Sequence, residues 1–168
     1  HARMAIYRLE ARIIGRKGTS APAAAAYRSG GKVSELIQRS AVACAAYRHQ
    51  AQLTDHATGR THDYTHKRHV EHSEILAPEG APDWVFDREQ LWNRVERAED
   101  RSTRRDTAQL ARELLLTIPR GLSAEQRVAL VRDFVHEQCV ARGMVAEIAI
   151  KNTDASEGGE QQHAHVML

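Results

Sequence analysis

Between Ala5 and Ile14 apolar and charged residues alternate. Tyr7, Leu9, Ala11 and Ile13 fall on one face and Arg8, Glu10 and Arg12 on the other, which predicts a first strand. Gly15–Ser20 reads as a basic, glycine-containing turn. Ser20 can then cap a helix through Tyr27, with Pro22 in the first turn, where its missing N–H is no loss, and Gly30-Gly31 at the end. A second helix is expected over roughly Ser34–Gln52, with a break at Ser40 left open. Thr58-Gly59 forms a turn into Thr61-His62-Asp63-Tyr64, and His72–Leu76 is a short strand stopped by Ala77-Pro78-Glu79-Gly80.

In the second half, Asp83 can cap a helix to about Glu99 with Trp84, Leu91, Trp92 and Val95 as its buried stripe. Ala111–Ile118 reads as a central strand, although a buried helical segment fits the same short apolar run. Ser123-Ala124-Glu125-Gln126 is a capping-box pattern, so a helix starts there and runs to Arg142, where Gly143 stops it. Met144–Ile150 is another strand, Lys151–Gln162 a polar loop, and His163-Ala164-His165 opens the last strand. The order β-α-α-β-α-β-α-β-β predicts an α+β chain with an antiparallel or mixed sheet and helices packed on it. The last strand is expected beside both the first strand and the one ending at Ile150. There is neither a glycine-rich strand-to-helix fingerprint nor a P-loop, which argues against doubly wound nucleotide binding.

The 168 residues suit one domain. His1-Ala2-Arg3 reads as a remnant ahead of a natural start at Met4, and the chain is expected to be cut short at its far end. Lys and Arg number 24 against 22 Asp and Glu, a net charge of +2 that does not by itself establish nucleic-acid binding. The distribution says more, because Arg12, Arg16 and Lys17 form one basic cluster and Arg60, Lys67 and Arg68 another. Cys44 and Cys139 are isolated, which suits a reducing compartment. With no secretory segment and no apolar run long enough to span a bilayer, the expectation is a cytoplasmic protein without membrane insertion.

Two patterns carry candidate chemistry. On a strand, His163 and His165 share a face, and two imidazoles held so make half of a divalent-metal site. A third ligand is expected from a neighbouring strand, where His72 and Glu74 share a face; Glu74 can be a ligand, a base or a carboxylate that orients an imidazole. The second pattern is a repeat, Ser20 to Tyr27-Arg28 echoed by Ser40 to Tyr47-Arg48. A tyrosine can attack a phosphodiester and hold the bond energy in a phosphotyrosine, given a metal, a base or positive charge nearby. Arg28 and Arg48 do not share a helix face with their tyrosines, so phosphate contact is the expected role.

Several segments together resemble a known family: Met4-Ala5-Ile6-Tyr7-Arg8-Leu9, the Ala-rich Tyr-Arg segment, Gly59 to Tyr64, His72 to Leu76, Leu91 to Glu96, Leu110 to Glu113, Leu130 to Phe134, Gly143 to Ala146 and His163 to Met167. The combination is similar to the MobA/MobL relaxases of mobilisable and conjugative plasmids. The resemblance implies a His-hydrophobic-His endonuclease fold with an antiparallel five-stranded sheet and flanking helices. It also implies strand-specific nicking and rejoining of single-stranded DNA at a transfer origin through a 5′-phosphotyrosyl intermediate, dependence on Mg²⁺ or Mn²⁺, and other transfer-complex proteins as partners. Two departures stand out. The family has one tyrosine segment where this chain has two; Tyr27 matches by distance from Met4 and Tyr47 by distance to Asp63-Tyr64, and the first is favoured because it follows the first strand by one short turn. The family usually has a third histidine where this chain has Lys151, a poor ligand when protonated. Either His72 or Glu74 substitutes, or the site is weakened, or the ammonium itself replaces part of the metal's charge; the alternative function is a catalytically weakened origin-binding protein lacking a complete metal site.

Overall fold

A computed structural model describes residues 8–15, 40–66, 69–100, 109–153 and 161–168. The elements in chain order are β1 (Arg8–Gly15), α1 (Ala41–His49), β2 (Gln52–Thr54), β3 (Thr61–Asp63), β4 (Val70–Leu76), a 3-10 turn (Asp83–Phe86), α2 (Arg88–Asp100), β5 (Gln109–Thr117), α3 (Ala124–Gln138), a second 3-10 turn (Val140–Arg142), β6 (Ala146–Thr153) and β7 (Gln161–Met167). Five strands form one sheet in the order β1-β5-β7-β6-β4, and β2 and β3 form a separate two-stranded hairpin. The last strand therefore neighbours β5 and β6, and β5 stands where the sequence reading expected the first strand. The chain divides into two compact units, one holding the described residues of His1–Ala11, His69–Pro82 and Leu114–Leu168, the other those of Arg12–Arg68 and Asp83–Glu113.

In the first unit β6 pairs antiparallel with both β4 and β7. Alternation sends Ala146, Ile148 and Ile150 to one face with Ala164 and Val166 of β7. These side chains close on Val131 and Val135 of α3 and on Leu116, Ile118 and Leu122 to make the core. Each fully buried Val or Ile contributes roughly 1.5–3 kcal/mol. The capping box that starts α3 is present: Ser123 Oγ accepts from Gln126 N at 3.1 Å, and Gln126 Oε1 accepts from Ser123 N at 2.9 Å. The α-helix ends at Gln138 rather than Arg142, because its last residues tighten into a 3-10 turn closed by Gly143 at φ 89°. The ambiguous run at Gln109–Thr117 is a strand, and β6 runs past Ile150 to include Lys151. On β1 the alternation does not bury the expected face, since Leu9 and Ile13 are 51% and 44% exposed while Ile14 is buried.

In the second unit α1 is buried almost all round, with Ala41 to Ala46 at 0–1% exposure. Such a helix shows no amphipathic stripe to find in sequence; its small side chains let α2 and the β2–β3 hairpin lie close against it. Ser40 is extended and is its N-cap, so no helix runs unbroken through it; residues 34–39 lie outside the described ones. Gln50 ends it in the left-handed conformation, φ 51°, while Ala51 N donates back to Ala46 O at 2.9 Å. That reversal feeds β2, which begins at Gln52, where the sequence pattern predicts the end of a helix. Helix α2 is capped by Asp87, whose Oδ1 accepts from Gln90 N at 3.0 Å, so Asp83 belongs to the preceding 3-10 turn instead.

Candidate active site

Tyr47 sits in the last turn of α1, half-buried, and both ends of its helix are tethered within the second unit. At the N-terminus Glu96 of α2 accepts from Ser40 Oγ at 2.9 Å and from Val42 N at 3.3 Å, a carboxylate placed where free N–H groups favour negative charge. Burial holds the Glu96 carboxyl above its ordinary value, and nearby Asp55 adds to this, although the Ser40 hydrogen bond pulls the other way. At the C-terminal end Arg48 forks onto Glu113 of β5, Nε to Oε1 at 2.7 Å and Nη2 to Oε2 at 3.1 Å. The Tyr64 ring meets the Tyr47 ring edge-on, with centroids 5.2 Å apart and planes at 89°. Burial and the neighbouring Tyr47 push the Tyr64 hydroxyl up, so it stays protonated.

These contacts revise the expected DNA-binding set. Arg48 is 13% exposed and matched by a 2% exposed carboxylate, which removes it from the cations available to phosphate. Arg60 is exposed next to the β2–β3 hairpin, as a phosphate contact requires. Tyr27, Arg28, Arg16, Lys17, Lys67 and Arg68 lie outside the described residues, and of Arg12 only the backbone, in β1, is described. Glu96, Glu113 and Tyr64 were not singled out from sequence. Glu113 had a signal, since a carboxylate inside the apolar run Leu110–Leu116 demands a cation partner wherever the strand is covered on both faces.

In the first unit the β6–β7 register sets Lys151 opposite His163, Ala149 opposite His165 and Glu147 opposite Met167. Residues opposite each other on paired strands share a face, so Lys151, His163 and His165 stand together. Burial pushes the His163 ring below its ordinary value, with Glu10 pulling it up, and its Nδ1 is buried without a hydrogen-bond partner among the described residues. His72 and Glu74 do share a face, with Nε2 3.3 Å from Oε1, but it is the other face of the sheet. They pair with Ile150 and Ile148, whose side chains lie in the α3 core, and Arg132 of α3 forks onto Glu74 at 2.8 and 2.9 Å. The expectation that His72 or Glu74 completes a site with His163 and His165 is therefore corrected: strand alternation puts them on opposite sides. Burial would raise the Glu74 carboxyl, yet Arg132 and His72 together hold it below its ordinary value.

Among the described residues, the donor set on the histidine face does not make up a three-ligand divalent centre. No group of three or more His, Cys, Asp or Glu side chains able to hold a metal occurs among the described residues. The cross-strand neighbour of His163 is a lysine, and among the described residues no carboxylate or carbonyl hydrogen-bonds to the buried His163 Nδ1, as normally happens to orient a metal-binding imidazole; Glu10 acts on the ring only through its charge.

The strand order, the buried Ala-rich tyrosine helix and the paired histidines of β7 are those of a relaxase-type His-hydrophobic-His fold. The MobA/MobL family pattern matches residues 39–168, and the chain belongs to that family. It is 45% identical over 134 residues to the conjugal transfer protein TraA of Rhizobium radiobacter, covering 74% of this chain and 12% of that protein. The mobilization protein MobL of Acidithiobacillus ferridurans is 38% identical over 118 residues, covering 70% of this chain and 29% of its own length. This chain thus spans a small part of the relatives it matches. Among solved structures, one described as the molecular basis of vancomycin resistance transfer in Staphylococcus aureus superposes with a TM-score of 0.72 at 25% identity, covering 97% of this chain and 69% of that one. No helix among the described residues is long and apolar enough to cross a membrane.

Proposed function

We propose that this chain is the DNA-nicking part of a plasmid-transfer relaxase and that Tyr47 is its nucleophile. In the step proposed, the Tyr47 oxygen attacks a phosphodiester of single-stranded DNA. A tyrosyl O–P bond forms, the P–O3′ bond breaks, and the tyrosine proton ends on the released 3′ oxygen or on water. The 5′-phosphotyrosyl link conserves the bond energy, so a 3′ hydroxyl can later reverse the step and rejoin the strand. Partners in a transfer complex belong to the same reading.

The observation that carries the choice of tyrosine is the double tether of its helix. In the first copy the residue equivalent to Val42 is Pro22, which has no N–H to give Glu96. The family match also begins at Arg39, so it takes in Tyr47 and leaves Tyr27 out. Both favour the second copy over the first, reversing the preference drawn from distance to the first strand. Incubating the protein with a labelled oligonucleotide of its transfer origin should give a denaturation-resistant adduct. Tyr47→Phe should abolish it and Tyr27→Phe should leave most of it; the opposite pattern would move the nucleophile to Tyr27, and no adduct under any divalent ion would leave origin binding alone. That second reading is favoured by Lys151 standing where the family resemblance implies a third imidazole.

A further inference from the structure

We propose that Lys151, with His163 and His165, forms an anion site on this face of the sheet that binds a DNA phosphodiester without a divalent ion. The inference rests on the reading of the chain as a DNA-processing domain and adds to it a source of positive charge for a DNA phosphate. Lys151 and His163 are direct cross-strand partners, and His165 is the diagonal neighbour on the same face. Side chains so placed start about 5 and 7–8 Å apart, within the reach of a lysine stem. The Glu10 carboxylate also acts on His163; beside it an ammonium, with three donors and no acceptor, suits phosphate oxygens and opposes a second cation between the imidazoles.

The tautomer of His163 points the same way. Its Nδ1 is buried and has no hydrogen-bond partner among the described residues. A buried N–H without an acceptor is the costlier of the two ways to leave that nitrogen, so the proton is favoured on Nε2. An Nε2–H is a donor, complementary to an anion and not to a metal ion. Ala149, opposite His165, adds no bulk beside the second ring.

The test uses the whole chain and a mixed-sequence single-stranded oligodeoxynucleotide, with binding followed by fluorescence anisotropy in EDTA over a series of salt concentrations. The expected result is measurable binding without metal. Lys151→Met, which keeps the stem and removes the charge, should weaken it about tenfold and lower the salt slope by about one, while Lys151→Arg keeps both near wild type. Adding Mn²⁺ should leave wild-type affinity within about twofold and strengthen binding by Lys151→His, which supplies a third imidazole. A wild-type protein that binds only when Mn²⁺ is added, or a Lys151→Met protein with unchanged affinity and slope, would overturn the proposal. An adduct assay on Tyr47 run in parallel separates the failures: loss of the adduct overturns nicking, whereas an unchanged salt slope overturns only the lysine site.

Discussion

Arg48 and Glu113 form a two-point ion pair in the interior of their unit, 2.7 and 3.1 Å, one residue along the chain from Tyr47. The Arg48 guanidinium carbon also lies 5.2 Å from the Tyr47 ring centroid, so the same cation braces the tyrosine and is neutralised from behind. A residue that looks like a phosphate contact in sequence is, in the fold, a structural anchor.

Breaking this pair from one side should be costly. Arg48→Met or Glu113→Leu alone leaves a buried charge unmatched and is expected to destabilise the protein by about 3–5 kcal/mol in urea denaturation, while the double replacement should recover much of that loss. The salt dependence of DNA binding by Arg48→Met should match wild type. A salt slope reduced as for a lost phosphate contact, with stability unchanged, would restore Arg48 to the DNA surface.

Tyr64 should act through its ring. Tyr64→Phe keeps the edge-on contact with Tyr47 and is expected to leave adduct formation near wild type. Tyr64→Ala removes a half-buried ring and should slow the adduct rate about tenfold at saturating oligonucleotide, with little change in the oligonucleotide concentration needed, because the nucleophile is less well held. Equal slowing by Phe and Ala would instead assign a role to the Tyr64 hydroxyl.

Much of this architecture was legible in the chain because local chemistry and tertiary context agree. The Ser123–Gln126 box, the Gly143 stop and the shared face of His163 and His165 follow from side-chain type and spacing alone. The misses have separate physical causes. The β2 strand was hidden because the reversal at Gln50 uses a non-glycine residue in the left-handed region. His72 and Glu74 were correctly placed on one face of one strand. Their relation to the histidine pair, however, depends on inter-strand register, which no single segment encodes. The polarity of Lys151 ends an apolar run and so predicts a loop, although β6 continues through it and pairs it with His163.

Glu74 provides a direct check on that register. Its partner Arg132 is 48% exposed, so Glu74→Gln should cost no more than about 1 kcal/mol. Because the folded carboxyl is held below its ordinary value, this contribution is present above the unfolded value and is lost as pH falls through the folded one. The difference between wild type and Glu74→Gln should therefore be seen near neutral pH and fade in acid. DNA affinity and adduct yield should be unchanged; a large loss of adduct in a variant of normal stability would place Glu74 back among the reacting groups.

Glu96 should show the opposite sign. Burial, reinforced by Asp55, holds its carboxyl above the ordinary value of 4.5, so its ionisation is harder in the folded chain than in the unfolded one. The stability it contributes is complete below that ordinary value and is lost as pH rises through the raised one. Glu96→Gln keeps a carbonyl oxygen for Ser40 Oγ and Val42 N but cannot ionise. Relative to wild type, the Gln variant should therefore gain stability as pH rises from about 4 towards about 7, as read from urea midpoints; other carboxylates cancel in the difference. Asp55→Asn should flatten the trend, because it removes the charge that adds to the burial effect. A Gln variant that loses ground to wild type over the same range would mean that ionised Glu96 is favoured at the head of α1, with the helix N-terminus outweighing burial.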